Sequence, residues 1–175
     1  MDAGQPATPG LPSMIQASGT VSRAMKWEVR ELAAEQTHAL RRAVSADGRT
    51  DLPTMRHELD ASPGAWHLGA VDAMGQVVAT SSFYSVPCPL RPDALPAVQL
   101  QFMAVDPIVQ ERGIGSAVLA EAIRRLKAAE AVVLWASARD TALSFYRRFG
   151  FTVLEGSASI PAETGRPHHL ILLEL

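Results

Sequence analysis

The segment with the clearest chemistry runs from Gln110 to Ser116 and places two glycines, Gly113 and Gly115, at the start of a predicted helix. The first amides of a helix have no partner inside the helix and carry partial positive charge, so a helix N-terminus binds anions. Glycine lets the backbone approach a phosphate closely and adopt angles that other residues avoid. The segment therefore predicts a phosphate site made of main-chain atoms, which Arg112 could assist.

Two common phosphate-binding motifs do not fit this segment. A dinucleotide-binding fingerprint would need a small residue where the chain has Val118, and an acidic residue at the end of a following strand, which is missing. A P-loop would need Gly-Lys-Ser/Thr after four residues, and that sequence is missing too. The pattern Gln/Arg-x-x-Gly-x-Gly/Ala, by contrast, matches Gln110, Gly113 and Gly115.

This pattern and a second motif downstream together resemble the Gcn5-related N-acetyltransferase (GNAT) superfamily. The second motif is an aromatic-rich helix that ends in Gly-Phe, and here it reads LSFYRRFGF from Leu143 to Phe151. The two motifs occur in the expected order, with an apolar strand, Val132–Ala136, between them. The resemblance covers the chain from Lys26 onward and is strongest from Gln99 to Phe151.

The resemblance implies acetyl-CoA as the donor and indicates where it binds. In the superfamily the sheet splays between the strand before the phosphate loop and the next parallel strand, here Gln99–Val105 and Val132–Ala136, and the pantetheine arm pairs with the exposed backbone. Main-chain contacts to the acetyl and pantetheine groups are then expected from Met103, Ala104 and Val105. Arg139 stands where many members carry an asparagine that contacts pantetheine. The residues expected around the pyrophosphate are Gln110, Glu111, Arg112, Gly113, Ile114, Gly115 and Ser116.

The resemblance also implies direct attack of a neutral amine on the thioester through a tetrahedral intermediate, with a strand amide polarising the carbonyl. Tyr146 matches the tyrosine that protonates the departing thiolate in many members. A phenol with a pKa of about 10 can fill this role of general acid. The alternative for Tyr146 is a core aromatic beside Phe145 and Phe149.

The sequence leaves the general base unassigned. The strand resembles that of arylalkylamine N-acetyltransferases, but Gln99 and Gln101 stand where those enzymes have histidines. Glutamine cannot accept a proton at neutral pH, so these side chains either position a water or are simply polar strand residues. His168 and His169 are the other candidates, one predicted inward and one outward, although a structural histidine is the commoner outcome. The remaining histidines lie on separate predicted elements; they are His38, His57 and His67. No cluster of possible ligands has metal-ligand spacing, so no metal is expected.

The elements that would position these residues follow from the hydrophobic pattern. Their order, β-α-α-β-β-β-α-β-α-β-β, predicts an α/β (α+β) chain with a mixed sheet. The resemblance makes this the GNAT fold, a mostly antiparallel sheet of 6–7 strands, splayed between the fourth and fifth strands and flanked by about four helices. Asp51 is expected to cap a short helix through Leu59, and Asp140 another that ends at Gly150. The predicted strands include Trp66–Val71, Gln76–Phe83, Val98–Val105 and Ala131–Ala136.

Length and composition limit the class of protein. The 175 residues fit one N-acetyltransferase domain over residues 25–175, preceded by a flexible extension over residues 1–24 that is rich in Gly, Pro, Ser, Thr and Ala. A net charge of −2 gives no electrostatic reason to expect nucleic acid or an anionic membrane as partner. The lone cysteine, Cys88, and the lack of a signal or spanning segment predict a cytoplasmic protein.

The leading hypothesis is therefore an acetyl-CoA-dependent N-acetyltransferase that acts on a primary amine of a small molecule or peptide. The alternative is a non-catalytic module that senses acetyl-CoA or scaffolds a partner. The sequence leaves open a larger acyl group and a possible homodimer.

Overall fold

The computed structural model describes residues 26–45, 56–162 and 164–175. The described residues form seven strands: β1 Trp27–Leu32, β2 Trp66–Asp72, β3 Val77–Tyr84, β4 Ala97–Val105, β5 Val133–Arg139, β6 Thr152–Val153 and β7 His168–Glu174. They also form three α-helices: α1 Ala34–Ser45, α2 Ile114–Ala128 and α3 Leu143–Arg147. Short 3-10 turns occupy Glu58–Ala61, Pro107–Val109 and Asp140–Ala142.

All seven strands join in one sheet with the order β1-β2-β3-β4-β5-β7-β6. Every neighbouring pair is antiparallel except β4 and β5, which are parallel. The predicted mixed, mostly antiparallel sheet is thus confirmed. The predicted extension over residues 1–24 and the start of the short helix at Asp51 lie outside the described residues. The described end of that segment is the 3-10 turn at Glu58–Ala61.

The two long helices cover opposite faces of the sheet centre. From α2, the side chains of Val118, Leu119 and Ala122 are fully buried against one face, together with Leu68 and Phe83 of the sheet. Helix α1 packs on the other face, against β3 and β4. Because β3 is covered on both sides, nearly all of its residues are buried, including the polar side chains of Thr80, Ser81 and Ser82.

The predicted hairpin between β2 and β3 is confirmed, and its turn chemistry is local. Gly75 adopts a φ of 81°, and the Asp72 carboxylate accepts hydrogen bonds from the amides of Met74 and Gln76, both at 2.9 Å. An aspartate that binds backbone amides ahead of it and a glycine in the left-handed region together close a tight turn.

The predicted cap at Asp140 is wrong. Asp140 begins a 3-10 turn, α3 starts only at Leu143, and Ala142 stands at its N-cap without a side-chain hydrogen bond. The Asp140 carboxylate instead lies 2.7 Å from Nε2 of His169, because the antiparallel pairing of β5 with β7 brings the start of β7 beside it. The predicted end of this helix at Phe149 is also too late: α3 ends at Arg147, and Gly150, with a φ of 88°, lies in the turn that follows.

In the described part of the chain, no helix is long and apolar enough to cross a membrane.

Candidate functional site

The central feature of the sheet is a gap between β4 and β5. The two strands pair only from Ala97 to Gln99 on β4 and from Val133 to Trp135 on β5. Strand β4 continues to Val105 and β5 to Arg139, but neither pairs with the other beyond that point. This is the splay expected between the fourth and fifth strands. It leaves backbone donors and acceptors of β4 facing the gap.

A β-bulge marks β4 at the mouth of the gap. In the β3–β4 ladder Ser82 pairs with Gln101 and Thr80 with Ala104, so Phe102 and Met103 together face one residue of β3. Phe102 adopts a φ of 53°, in the left-handed region that L-residues avoid at a cost of roughly 1–2 kcal/mol. Bulges bend a strand and redirect the residues that follow. Here those residues are the last three of β4.

The loop after β4 is tied back to the strand. The Asp106 carboxylate accepts the Ile108 amide at 2.9 Å and caps the turn at Pro107–Val109. The side-chain amide of Gln110 donates to the main-chain oxygen of Val105 at 3.0 Å. These bonds fix the path from the end of β4 to the start of α2, so the predicted phosphate loop begins directly beside the gap.

Helix α2 begins with amides that the hydrogen bonds of the helix leave unpaired, as the glycine motif predicts. Gly113 stands at the N-cap with a φ of 78°, and no side chain caps the helix. The first hydrogen bond of the helix runs from the Ala117 amide to the Gly113 oxygen. The amides of Ile114, Gly115 and Ser116 come before it and have no partner within the helix. These amides and the helix dipole suit a phosphate.

Glycine is needed at positions 113 and 115 for different structural reasons. A methyl group on Gly113 would meet nothing within 4 Å, so the space in front of this residue is open. A methyl group on Gly115 would lie 3.1 Å from Cγ2 of Val105 and 3.3 Å from Cε of Met103. Gly115 thus lets α2 start against the end of β4, and Gly113 leaves room for a group above it. Both features suit the phosphate site that the sequence predicts here.

The structure brings the two sequence motifs together. The same methyl position on Gly115 lies 4.0 Å from the Phe145 ring, so α3 of the second motif meets the start of α2. Glu111, with a φ of 62°, and Arg112 complete the exposed loop. Met103, Ala104 and Val105 form the open edge of β4 directly beside it.

Gln99 and Gln101 lie on the other face of the sheet from Gly115. Gln99 pairs with Tyr84 and Gln101 with Ser82, and directly paired residues share a face. That face is the one covered by α1. Both glutamines are half-buried at the mouth of the gap, where the predicted role in positioning water stays a prediction.

Tyr146 is a buried residue with an unpaired hydroxyl. The residue is 7% exposed, and its ring makes edge-to-face contacts with Phe145 and Phe151 at centroid distances of 5.1 and 5.3 Å. No hydrogen bond between described residues involves its hydroxyl. Burial raises the pKa of Tyr146 well above its ordinary value. The phenol therefore stays protonated and is able to donate.

The residues at the end of β5 face the start of β7. Arg139 is half-buried and pairs in register with His168. His168 is 7% exposed, and its Nδ1 lies 2.9 Å from the main-chain oxygen of Arg166, to which it donates. The side chain of His169 is 25% exposed and bound to Asp140. The expected inward and outward orientations are found, and the contacts of both histidines are structural.

A buried ionic network on the α1 face was not predicted from the sequence. Arg41 of α1 is fully buried, and its two terminal nitrogens bind the Asp60 carboxylate at 2.9 and 3.1 Å. Asp60 also accepts the Tyr84 hydroxyl at 2.6 Å and the His57 amide at 3.0 Å. Nε2 of His38 lies 3.3 Å from the same carboxylate.

The other side of the Arg41 guanidinium reaches the sheet. It donates to the Ser82 hydroxyl and lies 3.2 Å from Nδ1 of His67. Its carbon atom lies 4.4 Å from the centroid of the Phe102 ring, a cation–π contact with the bulge of β4. Burial and the Arg41 charge lower the pKa of His67, which is therefore neutral near pH 7. We call these residues, with Asp60, Tyr84, His38 and His57, the Arg41 network.

The residues of this network lie far apart in the sequence, which is why sequence analysis did not predict it. Its members come from α1, the turn at Glu58–Ala61 and three strands, and Arg41 lies 19 residues from Asp60 and 43 from Tyr84. One signal was available: Arg41 follows Leu40 within a stripe of buried helix residues, where a charge requires a partner. Within the described ranges, no group of three or more His, Cys, Asp or Glu residues is placed to hold a metal ion.

The charge on Asp60 predicts a pH dependence of stability. Burial alone would raise the pKa of Asp60, but hydrogen bonds from Arg41, Tyr84 and the His57 amide hold it far below its ordinary value. A carboxyl group whose pKa is lower in the folded state than in the unfolded state stabilises the fold above the unfolded pKa, near 4. That stabilisation is lost as the pH falls from there toward the folded pKa. The difference in unfolding free energy between the wild type and Asp60→Asn should therefore shrink below pH 4, by up to about 1.4 kcal/mol per pH unit. Urea unfolding of both proteins from pH 7 to 3 measures it, and a constant difference would contradict the prediction.

Comparison with known proteins agrees with this geometry. The family model described as "Acetyltransferase (GNAT) domain" matches residues 65–153. An acyl-CoA N-acyltransferase from Pseudomonas aeruginosa is 18% identical with a TM-score of 0.65, covering 85% of this chain and 99% of that one. A GCN5-related N-acetyltransferase from Kribbella flavida is 20% identical with a TM-score of 0.61, covering 85% and 98%. FeeM, an N-acyl amino acid synthase from uncultured soil microbes, is 15% identical with a TM-score of 0.66, covering 87% and 92%.

Proposed function

Because the chain belongs to the GNAT family of acetyltransferases, we propose that it transfers an acetyl group from acetyl-CoA to a primary amine in the gap between β4 and β5. One observation carries the proposal. The strands part after Gln99, and the glycine-capped start of α2 lies beside the open edge. An open strand edge next to an anion site suits a ligand with an extended amide-containing arm and a pyrophosphate at one end.

The chain's own residues then have separate tasks. The amides of Ile114, Gly115 and Ser116 bind the pyrophosphate, with Arg112 close to it. Met103, Ala104 and Val105 offer main-chain groups to the pantetheine arm, and Arg139 approaches from β5. Bound acetyl-CoA supplies an activated thioester, and an amide of β4 polarises its carbonyl as an oxyanion hole does.

The reaction also requires one proton to be donated to the leaving group and one to be removed from the amine. Tyr146 donates from its unpaired hydroxyl to the departing sulfur, acting as the general acid. On the acceptor side, Gln99 and Gln101 hold a water through which the proton of the attacking amine passes to bulk solvent. The Arg41 network is unsuited to that task because the Asp60 carboxylate already accepts hydrogen bonds from Arg41 and from the Tyr84 hydroxyl.

Acetyl-CoA binding and thiol release test the proposal directly. Acetyl-CoA should raise the melting temperature, and a free-thiol assay over a panel of primary amines should detect turnover. The donor panel should include longer acyl groups, because FeeM is an N-acyl amino acid synthase. No stabilisation by acetyl-CoA would exclude the proposal. Stabilisation without turnover on any amine would favour the alternative, a non-catalytic sensor or scaffold, which the unassigned base already supports.

Gly113→Ala should weaken acetyl-CoA binding at least tenfold. Its methyl group would enter the open space above the loop, and the φ of 78° disfavours any side chain. Gly75→Ala is a matched control, because Gly75 has a φ of 81° and also meets nothing within 4 Å, but lies in the β2–β3 turn. Both variants should lose about 1 kcal/mol of stability. Calorimetry measures the acetyl-CoA affinity of both variants. If Gly113→Ala binds acetyl-CoA as tightly as Gly75→Ala does, Gly113 is not part of the binding site.

A further inference from the structure

The bulge at Phe102 needs a physical explanation. A bulky aromatic residue with a φ of 53° is an outlier, because its Cβ crowds the following carbonyl oxygen. Such conformations persist only where the surrounding structure holds them. The preceding Gln101 and the following Ala104 are both paired with β3, but this pairing alone does not require φ to be positive at residue 102.

The Phe102 ring is held by two partners that lie outside β4. On one side the Arg41 guanidinium carbon lies 4.4 Å from the ring centroid. On the other the His57 ring meets it edge-on at 5.6 Å, while stacking on Tyr84 at 5.0 Å. Asp60 orders both partners, since it binds Arg41 through two oxygens and accepts the His57 amide.

The guanidinium has little freedom to move. It is fully buried and bound at once by Asp60, Ser82 and His67. A fixed cation over an aromatic face attracts the ring, and the attraction strengthens when water is excluded. The position of Phe102 is therefore defined by residues of α1, β2, β3 and the turn at Glu58–Ala61.

We propose that Arg41 is a positioning residue that holds Phe102 in its left-handed conformation and thereby sets the course of Met103, Ala104 and Val105 along the gap. This inference rests on the proposed function, in which those three residues form the acetyl-CoA edge. Arg41 itself lies on the α1 face and acts on the cofactor strand through the Phe102 ring. The competing explanation is that β3 pairing alone holds the bulge and that the Arg41 network only fastens α1 to the sheet.

Phe102→Ala and Phe102→Gly separate these explanations without touching the ion pair. Both variants remove the ring, but glycine adopts a positive φ without strain and alanine does not. If the ring holds the bulge, alanine should weaken acetyl-CoA binding about tenfold more than glycine, as measured by calorimetry. Equal affinities for the two variants would overturn the proposal.

Arg41→Lys completes the experiment. It keeps the charge opposite Asp60 but replaces the flat guanidinium that faces the ring. It should weaken acetyl-CoA binding several-fold in the wild type and leave the Phe102→Gly protein unchanged, because glycine no longer needs the contact. Equal losses in both backgrounds would mean that Arg41 does not act through Phe102.

Backbone chemical shifts of residues 102–105 in the ligand-free protein provide a readout that is independent of acetyl-CoA. Phe102→Ala and Arg41→Lys should move them, and Phe102→Gly should keep them close to the wild type outside residue 102. If wild-type protein fails to bind acetyl-CoA, the proposed function fails while these shifts still decide the role of Arg41. Unchanged shifts in Phe102→Ala would contradict that role.

Discussion

Asp60→Ala should lower the free energy of unfolding by about 3–5 kcal/mol, because it removes the carboxylate that binds both terminal nitrogens of the buried Arg41 guanidinium. Arg41 is 0% exposed, and breaking a buried ion pair by removing one partner is strongly destabilising. The substitution also removes the acceptor of the Tyr84 hydroxyl. A domain of this kind has about 5–15 kcal/mol of stability in total, so the loss is a large part of it. Urea unfolding at pH 7 measures it.

Two controls identify the cause of that loss. Glu28→Ala removes an ion pair with Arg30 at 3.8 Å whose side chains are 71% and 48% exposed, and it should cost less than about 0.5 kcal/mol. The pair Arg41→Met with Asp60→Leu removes both charges together and should recover most of the stability lost in Asp60→Ala. A double variant as unstable as Asp60→Ala would show that hydrogen bonds, rather than an uncompensated charge, dominate the network.

Tyr146→Phe should lower kcat about 100-fold, the lower end of what a positioned proton donor contributes, and leave acetyl-CoA affinity nearly unchanged. The ring contacts with Phe145 and Phe151 are kept, so only the hydroxyl is lost. Since burial raises the pKa of Tyr146, the phenol should remain the donor throughout the neutral range.

Steady-state kinetics with calorimetry for acetyl-CoA separates chemistry from binding in this variant. Phe149→Leu is a suitable control, since it perturbs the same aromatic group through its contact with Phe145 at 5.4 Å and has no polar atom. The control should retain most of the activity. A Tyr146→Phe enzyme with the wild-type rate would make Tyr146 a core aromatic only, the alternative that its sequence context left open.

The strand order and the phosphate loop were predictable because their signals are local. Hydrophobic alternation, the turn at Asp72–Gly75 and the glycines of α2 each specify structure within a few residues. The order of two motifs then fixed which strands part. The start of β5 was less clear: the apolar run from Ala131 predicted it two residues early, because periodicity does not mark where pairing begins.

The Arg41 network and the bulge were not predictable in the same way. His38, His57 and His67 lie on separate elements, and only the packing of α1 and the turn at Glu58–Ala61 on the sheet gathers them at Asp60. No glycine or asparagine marks the left-handed residue at position 102. Contacts made in the tertiary structure stabilise this conformation, and the local sequence carries no sign of it.

The three-pair joint between β4 and β5 has a consequence for the whole molecule. It divides the sheet into two unequal parts, which we call leaves. The first leaf consists of β1–β4 with both long helices, and the second consists of β5–β7. The phosphate loop follows the first leaf, and Tyr146 follows the second. In the proposed reaction, the distance between the donor thioester and the Tyr146 hydroxyl therefore depends on how β4 and β5 meet at this joint. The indole nitrogen of Trp135 on β5 donates to the main-chain oxygen of Val86 at 2.8 Å, a bond that links the second leaf to the segment after β3 in the first.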